Sequence, residues 1–191
     1  ETLDRWRVVV IGGGIINGLS QRGIWPKDRI AELLQPKPSL QKDWANVLDH
    51  AATMADDEAL PIGIRYDALR ILGTDTFKRS GPILLKYLAK DIDSELQLGS
   101  VCALTDIQDN AVPEAIISNF PNLSCKADAT RGLLRTQAGV NALLDAVEGE
   151  RISASSLSSE SITELQRNES SETRSRARSL FGADRAAGSP K

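Results

Sequence analysis

The stretch VVVIGGGIINGLS, residues 8–20, constrains this chain more than any other. Four apolar residues run into three consecutive glycines. Such a run is either a strand ending in a phosphate-cradling loop or a helix small enough on one side to admit another backbone. The loop needs G-x-G-x-x-G between strand and helix, with an acid about 20 residues on for a ribose. Gly12 and Gly14 fill the first two places, but the third falls on Asn17, and Gly18 comes one residue late. A helix following that loop would have to run through Gly23, Trp25 and Pro26, and proline stops a helix interior. No second strand ending in an acid follows; PKDRIAELLQ reads instead as a helix opened by Pro26. The favoured expectation is a buried helix over residues 3–20. Each glycine costs it about 1 kcal/mol relative to alanine, which leaves a break at the triplet open. The alternative is a nucleotide-dependent (FAD or NAD) oxidoreductase whose Gly12–Gly14 loop grips a pyrophosphate.

Composition narrows the classes. A chain of 191 residues suits one domain or one repeat array, and 41% hydrophobic with only 4% aromatic content points to helical packing on Leu, Ile, Val and Ala. A net charge of −3 offers no basic footprint for nucleic acid. No apolar run approaches the roughly 20 residues that span a bilayer, and no signal peptide is present. Glu1 in place of an initiator methionine fits a mature form or a piece of a longer protein. Cys102 and Cys125 form no C-x-x-C device and read as two buried thiols, with a disulfide left open. With His50, the single histidine, they lack a fourth ligand for tetrahedral zinc.

After Pro26 nearly every segment has a helical period. Ala45, Leu48 and Ala52 mark a helix over 40–55. Ile62, Tyr66, Leu69 and Leu72 mark the next, closed by Gly73 as a C-terminal glycine. Leu84, Tyr87 and Leu88 mark one opened by Pro82; Leu96, Ser100, Ala103, Leu104 and Ile107 one capped by Asp93 or Ser94. Further helices follow on Val112, Ile116 and Phe120, on Ala127, Thr130 and Leu134, and on Val140, Leu143, Leu144 and Val147 up to Gly149.

A self-similar pattern runs through these helices. IRYDALRILG (64–73) aligns with TRSRARSLFG (173–182), placing Arg65, Ala68, Leu72 and Gly73 on Arg174, Ala177, Phe181 and Gly182. A weaker polar-x-x-small-x-x-x-Leu pattern recurs at Gln97, Ser100 and Leu104 and at Lys126, Ala129 and Leu133. The small residue lets a paired helix approach, the apolar one plugs the seam, and the polar head is expected to stay wet. One pair cannot bury its face alone, so pairs stack. The expected fold is all-α, a HEAT-like α-solenoid of stacked antiparallel helix pairs. Residues 1–59 form N-terminal helices with the glycines and tryptophans, 60–183 the repeats, and 184–191 a flexible tail.

The Arg-x-x-Ala-Leu-x-x-Leu-Gly signature at 65–73 resembles HEAT repeats. More narrowly, WRVVVIGGGIINGLSQRGIWP, RYDALRILG, LLKYLAKDIDSELQLGSVCALTDI and VNALLDAVEGERISASSLS resemble one stretch of the membrane-bound dehydrogenase and haem-binding-domain proteins of planctomycetes and verrucomicrobia. The similarity runs over roughly residues 6–182. In that family a propeller-like dehydrogenase region precedes the helical repeats and a c-type cytochrome follows them. This chain lacks the propeller and ends at GADRAAGSPK, where a C-x-x-C-H would be awaited, so no catalytic or haem-ligating residue carries over. The resemblance implies a non-catalytic, exported, periplasmic scaffold that spaces two redox modules, with haem c only in a neighbouring domain. Its partners would be those domains or another protein, without nucleic acid or membrane insertion.

Other polar clusters have plainer readings. Asp91, Asp93 and Glu95 alternate like a calcium loop, but Leu96 stands where the glycine belongs, so helix caps explain them. Asp56, Asp57 and Glu58 are read likewise. TRSRAR (173–178) reads as a solvated face. Asn122-Leu-Ser124 and Asn168-Glu-Ser170 fit a glycosylation sequon without weight in a bacterial chain. Trp6, Trp25 and Trp44 read as core, or as an anchor for a preceding domain. Residues 153–161 read as a serine-rich loop or broken helix with no neighbouring triad.

Overall fold

A computed structural model describes residues 2–182, with side chains from Arg7 onward. The expected tail at 184–191 and the Trp6 side chain lie outside the described residues. Within them the chain is all-helical. Eleven α-helices follow one another: α1 (Thr2–Gln21), α2 (Pro26–Leu34), α3 (Pro38–Asp56), α4 (Ile62–Leu72), α5 (Phe77–Lys86), α6 (Ser94–Asp106), α7 (Ala111–Asn119), α8 (Lys126–Leu134), α9 (Gln137–Glu148), α10 (Ser159–Gln166) and α11 (Ser171–Gly182). Short 3-10 turns at Phe120–Asn122 and Ala154–Ser156 join some of them.

The helices form two files. α4 packs on α6, α6 on α8 and α8 on α10; beside them α5 packs on α7, α7 on α9 and α9 on α11. α3 covers α4, and α1 crosses α4 on its other contacts. One continuous core of Leu, Ile, Val and Ala runs through both files, from Ala51 and Leu69 to Leu144 and Phe181.

Glycines set how near these helices come. The loop that a pyrophosphate would need is not formed: Gly12, Gly13 and Gly14 lie inside α1. A Cβ on Gly13 would stand 2.6 Å from Asp67 Cβ and 2.8 Å from Asp67 Cα, so only glycine lets α1 meet α4 at that crossing. The close backbone approach repays the helix propensity that the triplet loses. Gly73 closes α4 as expected. It ends α4 at φ −65°, an ordinary right-handed conformation, and not as a left-handed cap. Its smallness is needed because Ala103 Cα and O lie 2.9 Å from where its Cβ would stand.

Two helix starts move relative to the sequence reading. Pro82 lies inside α5, which begins at Phe77, five residues earlier. Gly81 permits this, since the Phe77 ring occupies the space a side chain there would take. The serine-rich segment resolves into the 3-10 turn and the first turn of α10, where the Ser158 hydroxyl caps Ser161 N–H at 3.1 Å. Asp93 caps α6 by accepting from Glu95 N–H at 2.8 Å. Asp56 caps nothing: it ends α3 and accepts from Tyr87 and Lys86 at 2.7 and 2.9 Å.

Candidate functional site

The repeat positions segregate by role. Ala68, Ser100, Ala129 and Ala177 are all buried, as are Leu72, Leu104, Leu133 and Phe181. The first three sets lie on α4, α6 and α8 of one file; the fourth, Arg174 to Gly182, lies on α11 in the other. The polar heads are not simply wet. Gln97 is 1% exposed, and its Nε2 donates to Ala89 O at 3.0 Å and Asn122 O at 3.2 Å. Its Oε1 accepts from Ser124 N–H and Oγ at 2.5 and 2.6 Å. Arg65 Nε donates to Ala55 O at 2.9 Å, and Arg174 Nη1 to Asn168 O at 2.7 Å. Each of these heads donates to backbone carbonyls at the ends of neighbouring segments. Lys126 instead stands 5.9 Å from the Phe120 ring centroid.

The densest polar constellation lies where α1 crosses the first file. Arg70 of α4 reaches into the core, 1% exposed, and donates through Nη2 to Asp106 Oδ2 at 2.6 Å. Asp106, 0% exposed at the end of α6, accepts through Oδ1 from Arg135 Nη1 at 2.6 Å. Arg135 stacks over the Trp25 ring, its guanidinium carbon 4.0 Å from the centroid. From α1, Asn17 Oδ1 accepts from Arg70 Nε at 2.7 Å, and Ser20 Oγ donates to Asp106 Oδ2 at 2.6 Å. Tyr66 completes the group, its hydroxyl accepting from Asn17 Nδ2 at 3.2 Å. Burial holds this phenol above its ordinary pKa.

This cluster holds four helices and the α1–α2 turn on one carboxylate. Arg70 Nη1 and Arg135 Nη2 are buried without a hydrogen-bond partner. The arrangement ties these helices to one another. Sequence reading missed it: Asn17, Ser20, Arg70 and Asp106 come from three helices, Arg135 from the end of α8, and they share no motif. The one available signal was a bare Arg and Asp at otherwise apolar core positions of α4 and α6.

The other expected sites are dispersed. Cys102 on α6 and Cys125 before α8 are both free thiols. Burial raises both, Cys125 to about 11, with Cys102 contributing to the rise on Cys125. His50 lines a groove of about 610 Å³ between α1 and α3, together with Val8, Val9, Val47, Asp43 and Asp49. Among the described residues no cluster of three or more His, Cys, Asp or Glu could hold a metal ion. Among them, too, no helix is long and apolar enough to cross a membrane. Of the tryptophans, Trp44 packs half-buried against the core, and Trp25 serves Arg135. Within TRSRAR, Arg176 ties α11 to Asp145 and Glu148 of α9 at 2.5 and 2.8 Å.

Comparison with protein-family models, with curated proteins and with solved structures finds no match to this chain.

Proposed function

We propose that this chain is a non-catalytic helical-repeat scaffold, a HEAT-like α-solenoid that spaces or docks neighbouring protein modules. The observation that carries the reading is the register between alternate helices. Gly63 faces Glu95, Gly99 faces Tyr66 and Leu69, and Gly73 faces Ala103, an offset that keeps α4 and α6 running the same way. Gln97 meets Ser124, and Thr105 meets Gly132, so α6 and α8 do the same. Alternate helices running one way support a row of antiparallel pairs, with the repeat residues Ala68, Ser100 and Ala129 buried on α4, α6 and α8. That is the geometry by which helix pairs bury a shared core in a row.

The module types are proposed from the resemblance above: a dehydrogenase-like domain before the repeats and a c-type cytochrome after them, in an exported protein. Two measurements test the two layers of the reading. Small-angle scattering should give an elongated particle; a spherical envelope overturns the solenoid. Sequencing the gene on both sides of this segment should find a propeller upstream and C-x-x-C-H downstream; a frame holding neither overturns the redox parentage. Thermal stabilisation by FAD or NAD overturns the scaffold in favour of the oxidoreductase.

A further inference from the structure

We infer that α1 is also a dimerisation helix, and that its outer face docks antiparallel on the same face of a second copy of this chain. The two sides of α1 differ in use. Val9, Gly13, Ile16 and Ser20 lie on the side turned to α4, where Val9 and Ile16 are buried to 1% and 0%. The opposite side carries Val8, Ile11 and Ile15, exposed at 47%, 63% and 54%. Between these apolar residues stand Gly14 and Gly18, beside which an added Cβ would meet nothing within 4 Å. Gly13 is explained by the backbone of α4. Gly14 and Gly18 weaken the helix, and among the described residues nothing approaches the space a side chain there would fill.

The face is complementary to itself. Ile11 and Ile15 form a ridge, and Gly14 and Gly18, three residues after each, form the groove next to it. In an antiparallel crossing centred between residues 14 and 15, Ile15 of one copy falls on Gly14 of the other, and Ile11 on Gly18. Both ridges then enter both grooves at once, as an isologous two-fold contact requires. Helix dipoles also oppose favourably in that direction.

Charge selects the same partner. The register carries the exposed Arg22 of the second copy to the region of Arg7 and Val8. There the groove between α1 and α3 presents Asp43 and Asp49, the latter 74% exposed on its side chain although paired with Arg79. Asp43, in the groove beside Val8, is placed to receive Arg22. A basic helix end arriving with an apolar ridge is what a second α1 supplies.

Sedimentation equilibrium of the whole chain tests this. The wild type should reach twice the 20.7 kDa of one chain as concentration rises. Ile15→Glu and Gly18→Leu should each leave a monomer with an unchanged circular-dichroism spectrum, since both positions are exposed. Arg22→Glu should weaken association about tenfold, the scale of a lost charge pair at an interface. Adding Asp43→Arg to it should restore the wild-type constant. A wild type that remains monomeric up to about 1 mM, weaker than any useful self-affinity, overturns the inference and gives the face to another occupant. A dimer indifferent to Ile15→Glu overturns it as well.

Discussion

Arg70 and Asp106, 36 residues apart, meet at 2.6 Å with 1% and 0% of their side chains exposed. Each would be costly to bury alone, and neither is alone. Asp106 is shared with Arg135 and Ser20, and Arg70 with Asn17 and Ser20. A buried pair is weak evidence for net stability, but removing one member leaves the other uncompensated. Asp106→Asn should therefore lower the unfolding free energy by about 3–5 kcal/mol in urea titrations. A cost below about 1 kcal/mol, typical of exposed pairs, contradicts the buried node.

Glycines at crossings should tolerate no methyl. Gly13→Ala drives a Cβ into Asp67, backbone included, and Gly132→Ala into Thr105. Each should cost about 1–3 kcal/mol by overpacking, despite alanine's better helix propensity. Gly63→Ala, whose nearest neighbour would be Glu95 Oε1 at 3.8 Å, should be neutral or stabilising by up to about 1 kcal/mol. Chemical denaturation of the three variants separates close approach from propensity.

Gln97→Leu keeps the side-chain volume and removes every hydrogen bond of the buried amide. Ser124 N–H and the carbonyls of Ala89 and Asn122 lose their partner. At a net of about 0.5–1.5 kcal/mol for each hydrogen bond lost, the four together should cost about 2 kcal/mol or more in thermal or urea melts. A neutral variant shows the segment to be wet.

Tyr87 gives a pH signature. Burial, together with its hydrogen bond to Asp56, raises its phenol to about 12. A raised pKa means the folded state holds the proton longer than the unfolded chain. Stability from this group is thus full below the ordinary pKa near 10 and is lost as pH rises from there towards 12. Absorbance titration of phenolate in the native protein should begin late, and Tyr87→Phe should flatten the alkaline loss of stability. Ordinary titration near 10 contradicts the burial.

The two thiols offer a simpler readout. With Cys102 and Cys125 both raised, thiolate is scarce near neutrality. Labelling by a disulfide reagent at pH 8 should be slow in the native protein and complete at once in urea. Rapid native labelling refutes the packing around α6 and α8.

What sequence could show was local. Apolar spacing placed α3 over 40–55, within two residues of its observed ends, because a helix writes its buried face every three to four residues. Asp93 was legible as a cap because capping acts within one turn. Pro82 misled because its usual place is the first turn, whereas here the helix starts at Phe77 and folds its ring over Gly81. The triplet at 12–14 was ambiguous because its partner, Asp67, is more than fifty residues away. The Arg70–Asp106–Arg135 node was illegible for the same reason: each charge is explained only by side chains on other helices.

The grip of that node is uneven along the molecule. It binds α1, α4, α6 and α8 through buried groups, whereas α11 is fastened to α9 by Arg176 with Asp145 and Glu148, whose side chains are 66% and 42% exposed. Salt weakens exposed contacts and spares enclosed ones. Rising ionic strength therefore loosens the Arg176 fastening of α11 and spares the enclosed node, while Ala177 and Phe181 keep α11 seated in the shared core.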